Sequence, residues 1–320
     1  MRTLSPAQRH RHRILQEKAQ AATPYGAELT GSGYDLMRTA LARHKNLLTQ
    51  IQSHERRAEI KAQFLPDYLD WIDTAIAKGN GAQDQVLTTV MVWCFDAGAY
   101  ALGLRIAAYV IANNMAMADD YKRSPAAIVI DEISNAYLKG QWSPLTIGTD
   151  ANGNKALLPL DEADAFAKRT DTVFTLGQAY DITREQDAPD QARAKLHKAI
   201  AYAMLGKVQT ADEPDLSAIA KLTLQAALSR LTRALELDSN AGVKKDIERI
   251  ERTLAKATTS AAETANTPAT ETATPSPATS EPEADHKRGR PSKAAAAATK
   301  TAAKPAARKA ATKAAPARKK

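Results

Sequence analysis

The chain of 320 residues lacks the marks of several common protein classes. It has one cysteine, Cys94. A lone thiol cannot close an internal disulfide, which fits a reducing compartment. No C-x-x-C pair is present for a redox or zinc site. Cys94 lies in an apolar helical run with no histidine neighbour, so it reads as a small buried hydrophobe rather than a nucleophile. Aromatics make up only 5% of the residues, and few segments alternate with period two. Helical spacing is present nearly everywhere instead, which argues for an all-α body.

Long apolar runs are also missing. The most apolar window, "AYALGLRIAAYVIA" (99–112), is 14 residues long and contains Arg105. That is too short to span a bilayer and reads as a buried core helix of a soluble protein. The basic N-terminus has no apolar segment behind it, so no signal peptide is expected. No G-x-x-x-x-G-K-[ST] loop exists, which removes an ATPase by that route. His10, His12, His44, His54, His197 and His286 show no metal-ligand spacing with cysteine or carboxylates, and no metal site is expected from them.

Acidic residues are absent from one region, and the charge balance turns on it. Lys and Arg number 44 against 36 Asp and Glu, a net +8. Residues 287–320 hold 12 of the basic residues and no acidic one, which leaves 32 basic against 36 acidic before them. A mildly acidic body therefore carries a strongly cationic extension, the pattern of a polyanion-binding appendage.

Helix signals order the rest. Residues 1–22 form a basic N-terminal arm or helix, with Ser5 as cap, Pro6 in the first turn, and Arg9, Arg11 and Arg13 as candidate DNA contacts. A Pro- and Gly-bearing loop (23–33) follows. A helical core spans 33–140: one long helix over 35–63 with Leu36, Ala40, Leu41, Leu47, Leu48 and Ile51 on one side; a restart at Pro66; two near-continuous apolar helices around 82–112; and a helix opened by Ser124 and Pro125. Residues 141–187 form a variable insert, a loop with a hairpin at "DANGN" and then a helix. Residues 188–257 form a C-terminal helical region for assembly, with one tetratricopeptide-like hairpin at "ALSRLTRALELD" and a stripe of Val243, Ile247, Ile250 and Leu254 suited to packing on a neighbour. Residues 258–285 lack Leu, Ile, Val and aromatics and cannot offset the entropy of ordering, so they read as a disordered linker.

The tail, 286–320, opens with "HKRGRPSK". "RGRP" is the core of an AT-hook: an extended Arg-Gly-Arg segment fits the narrow minor groove of A·T-rich DNA, where the negative potential is enhanced. Gly289 lets the backbone reach the groove floor, and Pro291 directs the chain along it. Lys287, Arg288, Gly289, Arg290, Pro291 and Lys293 are thus the candidate DNA-binding residues. The remaining cations resemble a linker-histone tail that neutralises phosphates without reading sequence.

Catalytic residues are not evident. Asp67, Asp70 and Asp73 recur at i, i+3, i+6 and could form an acidic face for a metal-dependent nuclease, but acids in a first turn also favour the helix dipole. Asp84, Asp96, Asp131 and Glu132 are further carboxylates with no specific pattern. No cofactor is expected in this chain, with Mg²⁺ implied only if a nuclease is intrinsic. A helical scaffold or nucleoid-type protein with a histone-like tail is the alternative function.

"SPAQRH" (5–10), "GAQDQVLTTVMVWCFDAG" (81–98), "YKRSP" (121–125), "RAKLHK" (193–198) and "AGVKKDIERIERTL" (241–254) together resemble the gpM-like terminase small subunits of temperate contractile-tailed phages, also called terminase endonuclease subunits. The resemblance runs in order through most of 1–256. It implies a subunit that recognises the packaging (cos) site on concatemeric phage DNA, takes part in cutting it to cohesive ends, and docks the DNA to the procapsid. It also implies a large ATPase subunit and the procapsid portal as partners, a ring-like homo-oligomer, and the host bacterial cytoplasm.

Overall fold

The architecture was obtained as a computed structural model, which describes residues 6–118, 121–160, 165–208 and 213–265. Its centre forms where the sequence is most apolar. Helix α5 (Gln85–Asp96) is buried at every position from Val86 to Phe95. It begins at Asp84, whose Oδ1 accepts from the backbone N–H of Val86 (2.9 Å) and Leu87 (3.0 Å), satisfying two donors that a helix start leaves open. Helix α6 (Tyr100–Ala112) folds back on α5 through Gly98, whose φ of 84° suits glycine and where a Cβ would meet the Ser143 carbonyl. Helix α7 (Pro125–Leu138) is capped by Ser124, which accepts from the N–H of Ala127 at 3.2 Å.

Around this centre the chain places α1 (Pro6–Ala22), α2 (Ser32–Thr49), α3 (His54–Phe64), a 3₁₀ turn (Leu65–Tyr68) and α4 (Leu69–Lys78) before it. After it come the strands β1 (Leu145–Thr149) and β2 (Lys155–Pro159), then α8 (Ala165–Thr183) and α9 (Asp190–Leu205). The strands form the expected hairpin, antiparallel with Ile147 opposite Leu157. Its tip is held by Asp150, whose Oδ1 accepts from the N–H groups of Asn152 and Asn154. The body is all-α apart from this small two-stranded sheet.

Two details correct the sequence reading. The expected helix over 35–63 is broken between Thr49 and His54. Ser53 caps α3 by accepting from the N–H of Arg56 at 3.2 Å, and the Arg57 side chain closes the gap by donating to the Ile51 carbonyl. A capping serine inside a charged run competes with helix continuation. The inward stripe of α2 is Tyr34, Met37, Leu41, His44 and Leu48, whereas Leu36 and Leu47 are exposed.

A second, smaller cluster lies beyond α9. A 3₁₀ turn (Leu216–Ala218), α10 (Lys221–Leu237) and α11 (Lys244–Ala265) gather Leu205, Leu216, Leu224, Leu231, Val243 and Ile250. Helix α9 joins both clusters, facing the first with Leu196 and Ile200 and the second with Ala201 and Leu205. It ends on Gly206, left-handed at φ 69°, a glycine C-terminal cap. The stripe of Val243, Ile247, Ile250 and Leu254 packs within the chain. Helix α11 continues past Thr258, the expected start of the linker, to Ala265; the added segment "TTSAAETA" contains neither Gly nor Pro to stop a helix.

Candidate functional site

The residues expected to touch DNA fall into two groups. Lys287, Arg288, Gly289, Arg290, Pro291 and Lys293 lie outside the described residues. Arg9, Arg11 and Arg13 are exposed on α1. Residues four apart share a helix face and residues two apart do not, so Arg9 and Arg13 point together while Arg11 points away. Arg9, His10 and Arg13 form one wall of a cleft of about 420 Å³, and Asp70, Asp73 and Thr74 of α4 line the same cleft. Helix α1 is fastened there by Glu17 and Lys78 at 2.9 Å. The hydrogen bond from Lys78 holds the Glu17 carboxyl below its usual range.

The structure therefore sets Arg9 and Arg13 across a cleft from Asp70 and Asp73, and it spreads the acidic triplet itself. Asp70 pairs with Lys155 of the hairpin at 2.9 Å, and Asp73 pairs with Arg105 of α6 at 2.7 Å. Asp67 lies 3.8 Å from the Nε2 of His44. That imidazole is fully buried, stacks on Phe64 at 3.9 Å and bonds the Tyr68 hydroxyl through Nδ1 at 2.8 Å. Burial, helped by the charge of Arg43, lowers its pKa to about 4, so at neutral pH it is no counter-ion for Asp67. Each acid serves a different neighbour, and the three do not converge.

A different set of carboxylates does come together. Asp96 ends α5, and Asp131 and Glu132 follow each other on α7. Lys61 of α3 reaches Asp96 at 2.5 Å. Arg123 holds Asp131 at 2.8 Å and Glu132 at 3.2 Å, and Lys195 of α9 reaches the other Asp131 oxygen at 3.2 Å. Burial first, and then the charge of Asp96, raise the Glu132 carboxyl pKa, against the pull of Arg123. The set is drawn from α3, α5, α7 and α9, so no local spacing in the sequence marks it; the cations Lys61, Arg123 and Lys195 could be found only through the fold.

The other candidates are structural. Asp84 is 1% exposed; besides capping α5 it accepts from the Trp71 indole N–H at 2.8 Å. Burial raises its pKa to about 6 against those hydrogen bonds. Cys94 is fully buried, and burial pushes its thiol pKa up, which leaves no reactive thiolate. His197 is likewise a packing residue, 9% exposed, with its edge to the Tyr180 ring. Among the described residues no group of three or more His, Cys, Asp or Glu is arranged to hold a metal ion. Asp70 and Asp73 of the first set and all three acids of the second are already committed to cationic side chains of the protein, Asp67 stands apart from its set, and as they stand neither set fits a divalent-cation site.

Residues 38–151 match the sequence pattern of the family described as phage small terminase subunit. The chain is 32% identical over 292 residues to the terminase, endonuclease subunit, of Escherichia phage P2, covering 91% of this chain and 99% of that protein. This chain belongs to the phage terminase small-subunit family. The terminase subunit is also 25% identical over 241 residues to the probable terminase, endonuclease subunit, of Haemophilus phage HP1 (strain HP1c1), covering 73% of this chain and 75% of that one. No solved structure matches the terminase subunit. Membership ties the subunit to phage DNA packaging. No helix of its described residues is long and apolar enough to cross a membrane.

Proposed function

We propose that this small subunit binds the packaging (cos) site on concatemeric phage DNA, takes part in its cleavage to cohesive ends, and delivers the DNA to the procapsid with the large ATPase subunit. The observation that carries the reading is the end-to-end similarity to the phage P2 protein, whose name is terminase, endonuclease subunit. The division of charge supports it: the mildly acidic body needs a cationic extension to hold a polyanion, and residues 287–320 supply 12 basic residues without one acid. In this reading the helical body selects the site and assembles as a ring-like homo-oligomer. The tail, through Arg288, Gly289, Arg290 and Pro291, raises the local concentration of DNA at the body it is joined to.

Cutting is assigned to the complex with the large subunit, because neither acidic set among the described residues fits a divalent-cation site as it stands. The test is a binding and cleavage series with duplexes that carry or lack the packaging site. Removal of 266–320 should weaken binding to both duplexes and flatten the dependence of affinity on salt, since each lost phosphate contact lowers the slope by about 0.9. Equal slopes for the full and shortened chains would reject the role of the tail. In Mg²⁺ the small subunit alone should leave the site intact, and cutting should appear when the large subunit is added. Nicking by the small subunit alone that disappears in Asp131→Ala or Asp67→Ala would move the chemistry into this chain.

A further inference from the structure

Three helices of the C-terminal half meet at an open groove of about 780 Å³, to which α8 contributes Tyr180, α9 contributes His197, and α10 contributes Gln225, Ser229, Arg230 and Thr232. Arg230 is its centre. The guanidinium carbon lies 4.3 Å from the centroid of the Tyr180 ring, and Nη1 is 3.4 Å from the Nδ1 of His197. The Tyr180 and His197 rings in turn meet edge to face, 5.4 Å between centroids. Stacking and the imidazole hold the planar fork in place, so little freedom remains to be lost when it takes a ligand.

What the guanidinium lacks is an anion. Arg105, Arg123 and Arg249 each hold a carboxylate of the body. No carboxylate pairs with Arg230 among the described residues; Glu236 lines the same groove but is held by Arg233 at 2.8 Å. The imidazole reports the resulting field: after burial, the charges of Arg230, Arg233 and Arg193 all push His197 away from its protonated form.

The shape and chemistry of the groove select among anions. Gln225, Ser229, Thr232 and Glu236 recur at spacings of four, three and four, a stripe along one side of α10 about 16 Å long at 1.5 Å per residue. That exceeds what one carboxylate or one free phosphate occupies. Apart from Glu236, which Arg233 holds, the polar side chains that α10 turns to the groove are amide, hydroxyl and guanidinium, the set that holds sugar–phosphate oxygens. Leu228 is the one aliphatic residue of the lining, and the Arg230 guanidinium covers the Tyr180 ring, which leaves little apolar surface to anchor a protein partner.

We infer that this groove is a second, sequence-independent contact for the phosphate backbone of duplex DNA, with Arg230 gripping one phosphate and Gln225, Ser229 and Thr232 donating to its neighbours. The inference rests on the reading that the subunit binds DNA, and adds a contact in the body separate from the tail. The test uses the full chain and a duplex without the packaging site, with affinity measured against salt concentration. Arg230→Gln should lower the salt slope by about 0.9 and weaken binding roughly three- to tenfold, uniformly across sequences. Thr232→Glu, at an exposed position, places a carboxylate in the groove without removing a packing contact; it should weaken binding at least as much with an unchanged thermal melt. Arg288→Ala with Arg290→Ala serves as the control for the tail. If Thr232→Glu binds as the parent does while the tail variant is impaired, the groove is not a DNA contact, although the DNA-binding reading stands. If polyglutamate competes at the groove and Thr232→Glu abolishes only that competition, the ligand is an acidic protein segment and the inference is overturned. Absence of binding by the parent chain would remove both readings.

Discussion

The cleft between α1 and α4 and the groove of α8, α9 and α10 both turn arginines toward solvent, and they differ in what faces those arginines. In the cleft, Arg13 has Glu17 at 4.0 Å, and Arg9 and Arg13 look across at Asp70 and Asp73, which also pair with Lys155 and Arg105. In the groove, Arg230 rests on an aromatic ring and an imidazole, neither of which cancels its charge at neutral pH. A cation already faced by carboxylates adds little to the capture of a polyanion, because the field outside the pair falls off as that of a dipole and is screened within about 8 Å at physiological salt. If the groove takes DNA as proposed, counting basic residues along the chain ranks the two sites in the wrong order. The cleft has the denser basic sequence; the groove has the less compensated charge.

Acid gives the largest expected effect and distinguishes the groove by its buried imidazole. In the fold His197 and His44 have pKa values lowered to about 4 from an ordinary 6.5. As pH falls through 6.5 the unfolded chain takes these protons first, so their contribution is complete above pH 6.5 and is lost between 6.5 and 4. Asp84 works the other way: its carboxyl is raised to about 6 from 3.8, so the fold gains from it over nearly the same range. Two imidazoles against one carboxylate leave a net loss, on the order of 1–2 kcal/mol by pH 4.5. The melting temperature should fall by several degrees from pH 7 to 4.5. His197→Gln, which keeps a neutral polar group beside Arg230, should make that fall shallower. An identical fall in the variant would show that this imidazole is not the group being protonated.

Removing the acids from the cleft is the next largest test. Asp70→Asn with Asp73→Asn should unmask Arg9 and Arg13, raise affinity for non-specific duplex several-fold at low salt, and steepen the salt slope by about 1.8 through those two cations alone. Lys155 and Arg105, which those acids hold at 2.9 and 2.7 Å, are released at the same time and act in the same direction. Unchanged binding would mean that DNA never approaches this side of the subunit. The ion pairs being lost are exposed, so their removal should cost the fold less than about 1 kcal/mol.

Much of this layout was legible in the sequence because it is written locally. Ser124 and Pro125 mark the start of α7, Gly206 the end of α9, and "DANGN" the hairpin tip, each through the chemistry of one or two adjacent residues. The apolar windows around 82–112 read as core because nearly every position in them is apolar, whichever face turns inward. Amphipathic α2 was harder. Its leucines suggested one face, but His44 turns in onto Phe64 and Tyr68, Tyr34 turns in onto Trp71, Met37 is buried with them, and Leu36 and Leu47 are left outside. The charge groupings were not legible at all. Asp96, Asp131 and Glu132 sit with Lys61 and Lys195, and Arg230 sits with Tyr180 and His197, only because helices distant in sequence pack together. Spacing along one helix singled out Asp67, Asp70 and Asp73, and the fold sends each to a different partner.

The smallest expected effect lies in the residues the sequence singled out first. Arg9→Ala with Arg13→Ala removes two cations that already face carboxylates across the cleft. Non-specific duplex affinity should fall less than about twofold, and the salt slope should change by less than about 0.9, one phosphate's worth, although two charges are deleted. Arg11→Ala separates masking from irrelevance. Arg11 lies on the opposite side of α1, about 200° around the helix from Arg9, and is exposed without lining the cleft. If Arg11→Ala alone lowers the slope by as much as the double variant does, compensation by the acids beside them, Glu17, Asp70 and Asp73, explains the weakness of Arg9 and Arg13. A drop in slope near 1.8 for the double variant would show that the acids do not shield these arginines, and the contrast between cleft and groove would fail.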